Sequence, residues 1–198
     1  LSGTLYASLF YMNLLSAFLL DKIGLICEQI PPEEFEELTE CAYEGLENKI
    51  PLGDHHSISI KEEYKMRIPR RFSAWMTNTV HEKMTRHCRE YGFYNMPREG
   101  LFIPMMWVNR MKRGDQHQVH QHNNSLYSFS AYISCGDNDA PFFFMHSDHI
   151  EYLQINEHSC GNTLIFPSSL PHSVAMKTTD GERISVSGNI VFDWGLTM

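Results

Sequence analysis

Gln116-His117-Gln118-Val119-His120-Gln121-His122-Asn123-Asn124 is the stretch on which the reading of this chain turns. On a β-strand, side chains two apart share a face. Gln116, Gln118, His120 and His122 then form one polar row, as the lining of a barrel would. Two imidazoles at i and i+2 can hold one ion from such a strand, and a barrel interior fixes their directions while excluding bulk water. The pair alone is a weak signal in a chain with 11 histidines. A third histidine sharpens it. His172 lies in Phe166-Pro167-Ser168-Ser169-Leu170-Pro171-His172-Ser173-Val174, 52 positions after His120 (172 − 120), enough chain for several strands to carry it back across the lumen.

Eleven positions further (183 − 172), Arg183 opens Arg183-Ile184-Ser185-Val186-Ser187-Gly188-Asn189-Ile190-Val191-Phe192. Ile184, Val186, Ile190 and Phe192 share one face of that strand, and Arg183, Ser185, Ser187 and Asn189 the other. An arginine heading a polar face must find an anion or reach water. Its planar fork suits a carboxylate, and Ser185 offers a hydroxyl to the same group.

Outward from these segments the texture divides the chain. From residue 101 onward, short apolar or alternating runs predict strands near 102–111, 116–122, 127–134, 141–146, 150–155, 162–166, 172–178 and 183–193. Turn residues such as Arg113-Gly114-Asp115 and Gly136-Asp137-Asn138-Asp139 separate them. The first half reads as largely helical. Pro31, Pro32, Glu33 and Glu34 suit a helix start, and Phe35, Leu38, Ala42 and Leu46 keep helical spacing over 32–47, with Gly45 weakening the end. A second helix fits 72–91, with Trp75, Met76, Val80, Met84, His87, Cys88 and Tyr91 on one face and Gly92 at its end. Between them lie a turn at Gly53-Asp54 and a short strand over 57–60. Adjacent His55 and His56 would face opposite ways there, so they are taken as loop residues. With no linker or repeat, residues 1–198 are expected to form one domain, a helical support region (1–100) packed on a β-barrel core (101–198).

Composition narrows the function classes. The chain has 198 residues, 42% of them hydrophobic, and a formal charge of −8. An acidic chain argues against charge-driven binding to extended nucleic acid or anionic lipid. Five cysteines, at 27, 41, 88, 135 and 160, include no CxxC pair, so no disulfide or zinc framework follows. A reducing cytoplasm is the expected setting. The apolar segment 5–20 carries Ser8, Asn13 and Ser16 and is short for a membrane span, so it is expected to be strand or core material.

Taken in order, several elements resemble a known superfamily: Trp107-Val108-Asn109, Gly114, His120-Gln121-His122, Ala131-Tyr132-Ile133, Phe166-Pro167-Ser168 with His172, and Glu182-Arg183-Ile184-Ser185 with Asn189. Over roughly 104–193 the chain resembles the iron(II)- and 2-oxoglutarate-dependent oxygenases, and within them the oxygenases of bacteria and marine phages. The resemblance implies a mainly β fold, a double-stranded β-helix or cupin-like jelly-roll barrel with supporting N-terminal helices. It implies iron near His120, His122 and His172, and 2-oxoglutarate whose far carboxylate reaches Arg183, helped by Ser185 and the Tyr132 hydroxyl. Asn109 would bond cosubstrate or substrate. The implied reaction takes 2-oxoglutarate and molecular oxygen, with ascorbate as accessory reductant. It releases succinate and carbon dioxide and hydroxylates a substrate, which in the superfamily is a protein side chain, a nucleic acid base or a small metabolite; the acidic charge of this chain favours a protein side chain or small molecule over extended nucleic acid.

The superfamily's first motif usually ends in a carboxylate, whereas this chain has His122 there. Three readings stay open. His122 replaces the carboxylate; or His122 is the first histidine, with Asn124 two residues later; or a carboxylate arrives from elsewhere, with Asp115 and Asp148 as candidates. His117 has the opposite strand parity and is left out. His146, His149 and His158 are read as rim or surface groups. The missing carboxylate also leaves room for a cupin-like binding protein without turnover. A metal-dependent cupin enzyme without 2-oxoglutarate is disfavoured by the Arg183-x-Ser185 spacing.

Overall fold

A computed structural model describes residues 25–52, 60, 62–90, 100–122 and 125–193, with the side chains of residues 84 and 87–90 excepted. The segment 5–20, the strand expected at 57–60 (apart from residue 60), and His55 and His56 lie outside the described residues. So do Asn123 and Asn124.

Among the described residues two α-helices and twelve strands follow in order. They are β1 (Ile26–Gln29), α1 (Pro32–Asn48), β2 (Ile50–Pro51), β3 (Glu62–Met66), α2 (Arg70–Glu90), β4 (Leu101–Phe102), β5 (Met106–Met111), β6 (His117–His120), β7 (Tyr127–Ser134), β8 (Asp139–Met145), β9 (Ile150–Ile155), β10 (Asn162–Pro167), β11 (His172–Val174) and β12 (Arg183–Phe192). The larger sheet runs β1-β10-β7-β12-β5-β3-β2, with β4 also on β12, and the smaller runs β6-β11-β8-β9. All pairings are antiparallel. Among the described residues no ladder joins the two sheets, so the jelly roll is a sandwich rather than a continuous hydrogen-bonded barrel.

Each face of the larger sheet has its own core. One is built with the helices: Leu38, Cys41, Ala42 and Leu46 of α1 and Phe72, Met76 and Val80 of α2 meet Val108, Ala131, Val186 and Ile190. The other lies toward the smaller sheet, where Tyr132, Leu164 and Phe166 meet Phe142, Phe144, Leu153 and Ile155. Phe142, Phe143 and Phe144 therefore do not act as one block. The first and third point into this core, while Phe143 turns outward toward Tyr152.

The first half contributes strands as well as helices. Glu62-Glu63-Tyr64-Lys65-Met66 has no apolar alternation, yet it pairs with β5 from Glu62↔Arg110 to Met66↔Met106. Main-chain bonds to a formed neighbour carry it, and a salt-bridge set (Arg110 and Lys112 on Glu62) covers it. The single strand expected over 102–111 divides at Ile103-Pro104-Met105. Pro104 cannot donate to a ladder, and the 10-residue β12 takes β4 and β5 as successive partners.

α1 begins with Pro32 and has Glu33 and Glu34 in its first turn. α2 is started by α1: the main-chain N–H groups of Arg70 and Arg71 donate to the Glu37 carboxylate at 3.1 and 2.9 Å. Gly45 does not end α1. The end is Lys49, at φ 53°, whose N–H donates to Gly45 O. Gly45 instead permits close packing, since a Cβ there would sit 2.9 Å from Met66 Cβ and 3.1 Å from Val108 Cγ1. Gly45→Ala is therefore expected to cost about 1–3 kcal/mol by overpacking, outweighing the ~1 kcal/mol that alanine gains in a helix. Urea unfolding reads the balance, and a variant as stable as the parent would refute the argument.

Of the five cysteines, Cys27, Cys41, Cys135 and Cys160 are described, and all four are free thiols. Among the described residues no helix is long and apolar enough to cross a membrane.

Candidate active site

The sandwich places two polar walls around one cavity. Strand register builds the first. Ser185 on β12 stands opposite Asn109 on β5 and Tyr132 on β7, and Asn109 stands opposite Glu63 on β3. Residues in register share a face, so Glu63, Asn109, Ser185 and Tyr132 form one row, with Arg183 and Ser187 two positions either side of Ser185. Asn109, Tyr132, Arg183, Ser185 and Ser187 line the cavity.

The smaller sheet supplies the other wall. His172 on β11 pairs across to His120 on β6. His122 lies just past β6, held by its N–H to Ser168 O at 2.8 Å. One ring nitrogen from each of His120, His122 and His172 lies within 4.8 Å of the others. Among the described residues that cluster holds no carboxylate. Asp115 is buried but caps its own turn, accepting from Lys112 N at 2.9 Å. Asp148 is exposed and pairs with His149. Neither supplies a carboxylate to this site, and Asn124 is not described.

Hydrogen bonds set the protonation of the rings. Nδ1 of His120 bonds Gln118 O and Nδ1 of His172 bonds Leu170 O, both at 2.8 Å. A carbonyl only accepts, so each Nδ1 carries the proton and each Nε2 keeps its lone pair. Metal-binding imidazoles are typically oriented in this way. Burial pushes His120 down to about 4, with His117 adding to the effect, and His172 down to about 3, with His120 adding. His122 is lowered too, by burial first and His117 second. At neutral pH all three are neutral donors. The His172 ring is further held by Phe142, stacked at 5.7 Å, and Phe166, edge-on at 4.6 Å.

His117, set aside on strand parity, belongs to this wall. Opposite β11, His172 and Val174 are two apart while their partners His120 and His117 are three apart, so β6 carries a bulge. One extra residue reverses the parity. His117 Nδ1 lies 3.1 Å from His120 Nδ1, and its Nε2 lies 3.7 Å from Glu63 Oε1. Glu63 is buried and is the carboxylate behind the histidine wall. Only the bulge and the unpatterned strand β3 place it there.

Arg183 is 2% exposed. Nη1 donates to Ala140 O at 2.8 Å, and Nη2 meets Met111 Sδ. Its Nε, the Tyr132 hydroxyl and Asn109 Oδ1 are buried without a hydrogen bond of good geometry, although Ser130 lies alongside the tyrosine. Burial raises the Tyr132 pKa, so its phenol stays a neutral donor. Behind Arg183, the fully buried Asp139 accepts from Lys177 Nζ at 3.0 Å and lies 3.9 Å from Arg183 Nη1. Two cations and one anion leave one positive charge, in contact with a cavity that has unpaired donors.

The neutral histidines make acid stability predictable. A ring whose folded pKa is depressed favours the folded state above the ordinary histidine value of about 6.5, and that stability is lost as pH falls toward the folded values of about 4 and 3. Relative to His172→Phe, the metal-free parent is expected to lose on the order of 2–4 kcal/mol more between pH 6.5 and 4. Urea unfolding across that range measures it, and parallel pH curves would contradict it.

No family model matches the chain, and no curated protein matches it. Solved structures do. A Pseudomonas putida prolyl-4-hydroxylase is 15% identical, with 90% of this chain and 98% of that one covered and a TM-score of 0.61. An oxidoreductase of the 2OG-Fe(II) oxygenase family from Burkholderia pseudomallei is 14% identical, with 89% and 88% covered and a TM-score of 0.57. The fold is that of the 2OG-Fe(II) oxygenases. HygX from Streptomyces hygroscopicus, solved with nickel and 2-oxoglutarate bound, has it as well, at 11% identity, 90% and 87% coverage and a TM-score of 0.56.

Proposed function

We propose that this chain is an iron(II)- and 2-oxoglutarate-dependent oxygenase that hydroxylates its substrate. The observation that carries the reading is the pairing of two walls on one cavity: three neutral imidazoles on one, two of them oriented by backbone carbonyls, and a buried arginine with unpaired polar neighbours on the other. Imidazoles suit iron. A buried guanidinium with an idle Nε, beside a phenol with no hydrogen bond of good geometry, suits a carboxylate.

In this reading His120, His122 and His172 hold the metal through their free nitrogens. Arg183 binds the far carboxylate of 2-oxoglutarate, Tyr132 and Ser185 donate hydroxyl hydrogen bonds to it, and Asn109 holds cosubstrate or substrate. Iron, 2-oxoglutarate and dioxygen together supply the oxidising chemistry, one oxygen atom going to succinate and the other to a substrate C–H bond. Trp107, Phe142 and Phe166, which also line the cavity, keep bulk water from it. HygX, with nickel and 2-oxoglutarate bound in the same fold, supports the assignment.

Succinate and carbon dioxide release, followed under air with iron(II), ascorbate and 2-oxoglutarate, tests the reading. Production lost in both His172→Ala and Arg183→Ala is the expected result. Failure of the iron-loaded protein to bind 2-oxoglutarate by calorimetry would overturn it and favour a cupin-like binding protein without turnover.

A further inference from the structure

A second cluster of ligating side chains lies outside this cavity, on the β8–β9 hairpin. Met145 pairs with Ile150, so His146-Ser147-Asp148-His149 forms the connecting loop, closed by His146 N donating to His149 O at 2.9 Å. Closure sets the two rings face to face, with centroids 4.4 Å apart and planes within 12°. Glu151, two residues beyond His149, comes back to the same side. One nitrogen from each ring and a Glu151 oxygen all lie within 4.8 Å of one another. His146 Nε2 is buried, and it lies 3.5 Å from Glu151 Oε2 without a hydrogen bond between them.

We propose that His146, His149 and Glu151 form a second metal site, for a zinc-class divalent cation, with water in the fourth position. Two imidazole nitrogens and one carboxylate oxygen are a donor set that zinc accepts in tetrahedral geometry, once one of the stacked rings turns so that both in-plane lone pairs face the ion. The surroundings are also those of a metal site. Asp148 Oδ1 accepts from His149 Nδ1 at 2.7 Å, which leaves Nε2 as the ligating nitrogen. A carboxylate behind an imidazole orients it and raises its basicity toward a metal. Glu151 and Asp148 together bring two negative charges to a +2 ion. A packing role alone would leave the His146 Nε2 buried and unsatisfied, which is costly.

An ion here would pin the hairpin end. That end is tied to the histidine wall, because Met145 N donates to Pro171 O at 2.8 Å and Phe144 pairs with His172. The site is therefore a clamp on the strand that carries His172.

Zinc stoichiometry on the full chain separates the two sites, with zinc alone as the probe and circular dichroism confirming the fold of each variant. Two zinc ions per chain are expected for the parent and one for the double variant His149→Ala/Glu151→Gln. One is also expected for His120→Ala/His172→Ala, and it should be lost when all four changes are combined. The hairpin site should weaken at least 100-fold in His149→Ala. A hairpin double variant that keeps the parental stoichiometry, whether the parent binds one ion or two, would overturn the proposal. Because the readout is metal count rather than turnover, its outcome is independent of whether the cavity turns over 2-oxoglutarate.

Discussion

Asp139→Ala is expected to destabilise the protein by about 3–5 kcal/mol, the size of breaking a buried ion pair by removing one partner. Asp139 and the Lys177 side chain are both fully buried, and Arg183 is nearly so. The carboxylate accepts from Lys177 Nζ and from Ala140 N at 2.7 Å. Its loss leaves two cations in a dry interior, with Thr179 Oγ1 as the remaining hydrogen-bond acceptor for Lys177. The cost therefore comes from stranded charge rather than from a lost contact. The double variant Asp139→Ala/Lys177→Met should recover at least half of the loss, because it removes the stranded lysine as well. Urea unfolding of the parent, the two single variants and the double variant makes the cycle. A loss below 1 kcal/mol in Asp139→Ala would show that water or backbone movement satisfies the cations.

That triad was not legible in the sequence, and the reasons are physical. Asp139 reads as the last residue of a turn, and Lys177 reads as part of the strand expected over 172–178, which in the structure ends at Val174. Only the fold brings them to Arg183, which lies 44 and 6 positions further along the chain (183 − 139; 183 − 177). The elements that were legible are those with local periodicity. α1 and α2, the strands from β7 to β10 and β12 stand close to where the apolar pattern puts them, and His172 and Arg183 keep the phase expected of them. Parity arguments failed at His117, because a bulge in β6 inserts one residue and reverses every inward position beyond it. Pattern arguments failed at β1, β2 and β3, short strands held chiefly by main-chain pairing. Glu63, the buried carboxylate behind the histidines, was hidden for that reason. Its signal was a glutamate between two half-buried neighbours, and nothing in that distinguishes it from a surface charge.

His122→Ala should lower iron(II) affinity by roughly 100-fold or more, since even the outer partners of a metal ligand are typically worth 10- to 100-fold. Anaerobic iron titration measures it, and succinate release should fall with it. His122→Asp is the informative companion. Three neutral imidazoles leave the +2 charge of the ion uncompensated, whereas an aspartate there would restore the two-histidine, one-carboxylate set common among non-haem iron oxygenases. His122→Asp should therefore bind iron at least as tightly as the parent in the absence of 2-oxoglutarate. The parent, by contrast, should gain about 10-fold or more in iron affinity when 2-oxoglutarate is added, because the cosubstrate then supplies the first negative charge at the metal. Among the described residues Glu63 is the anion behind that wall, and it faces His117, so it would offset the charge only in part. Iron affinity unchanged in His122→Ala would remove His122 from the ligand set. Affinity in the parent that ignores 2-oxoglutarate would show that the charge is compensated by the protein itself, with Glu63 then the group to substitute next.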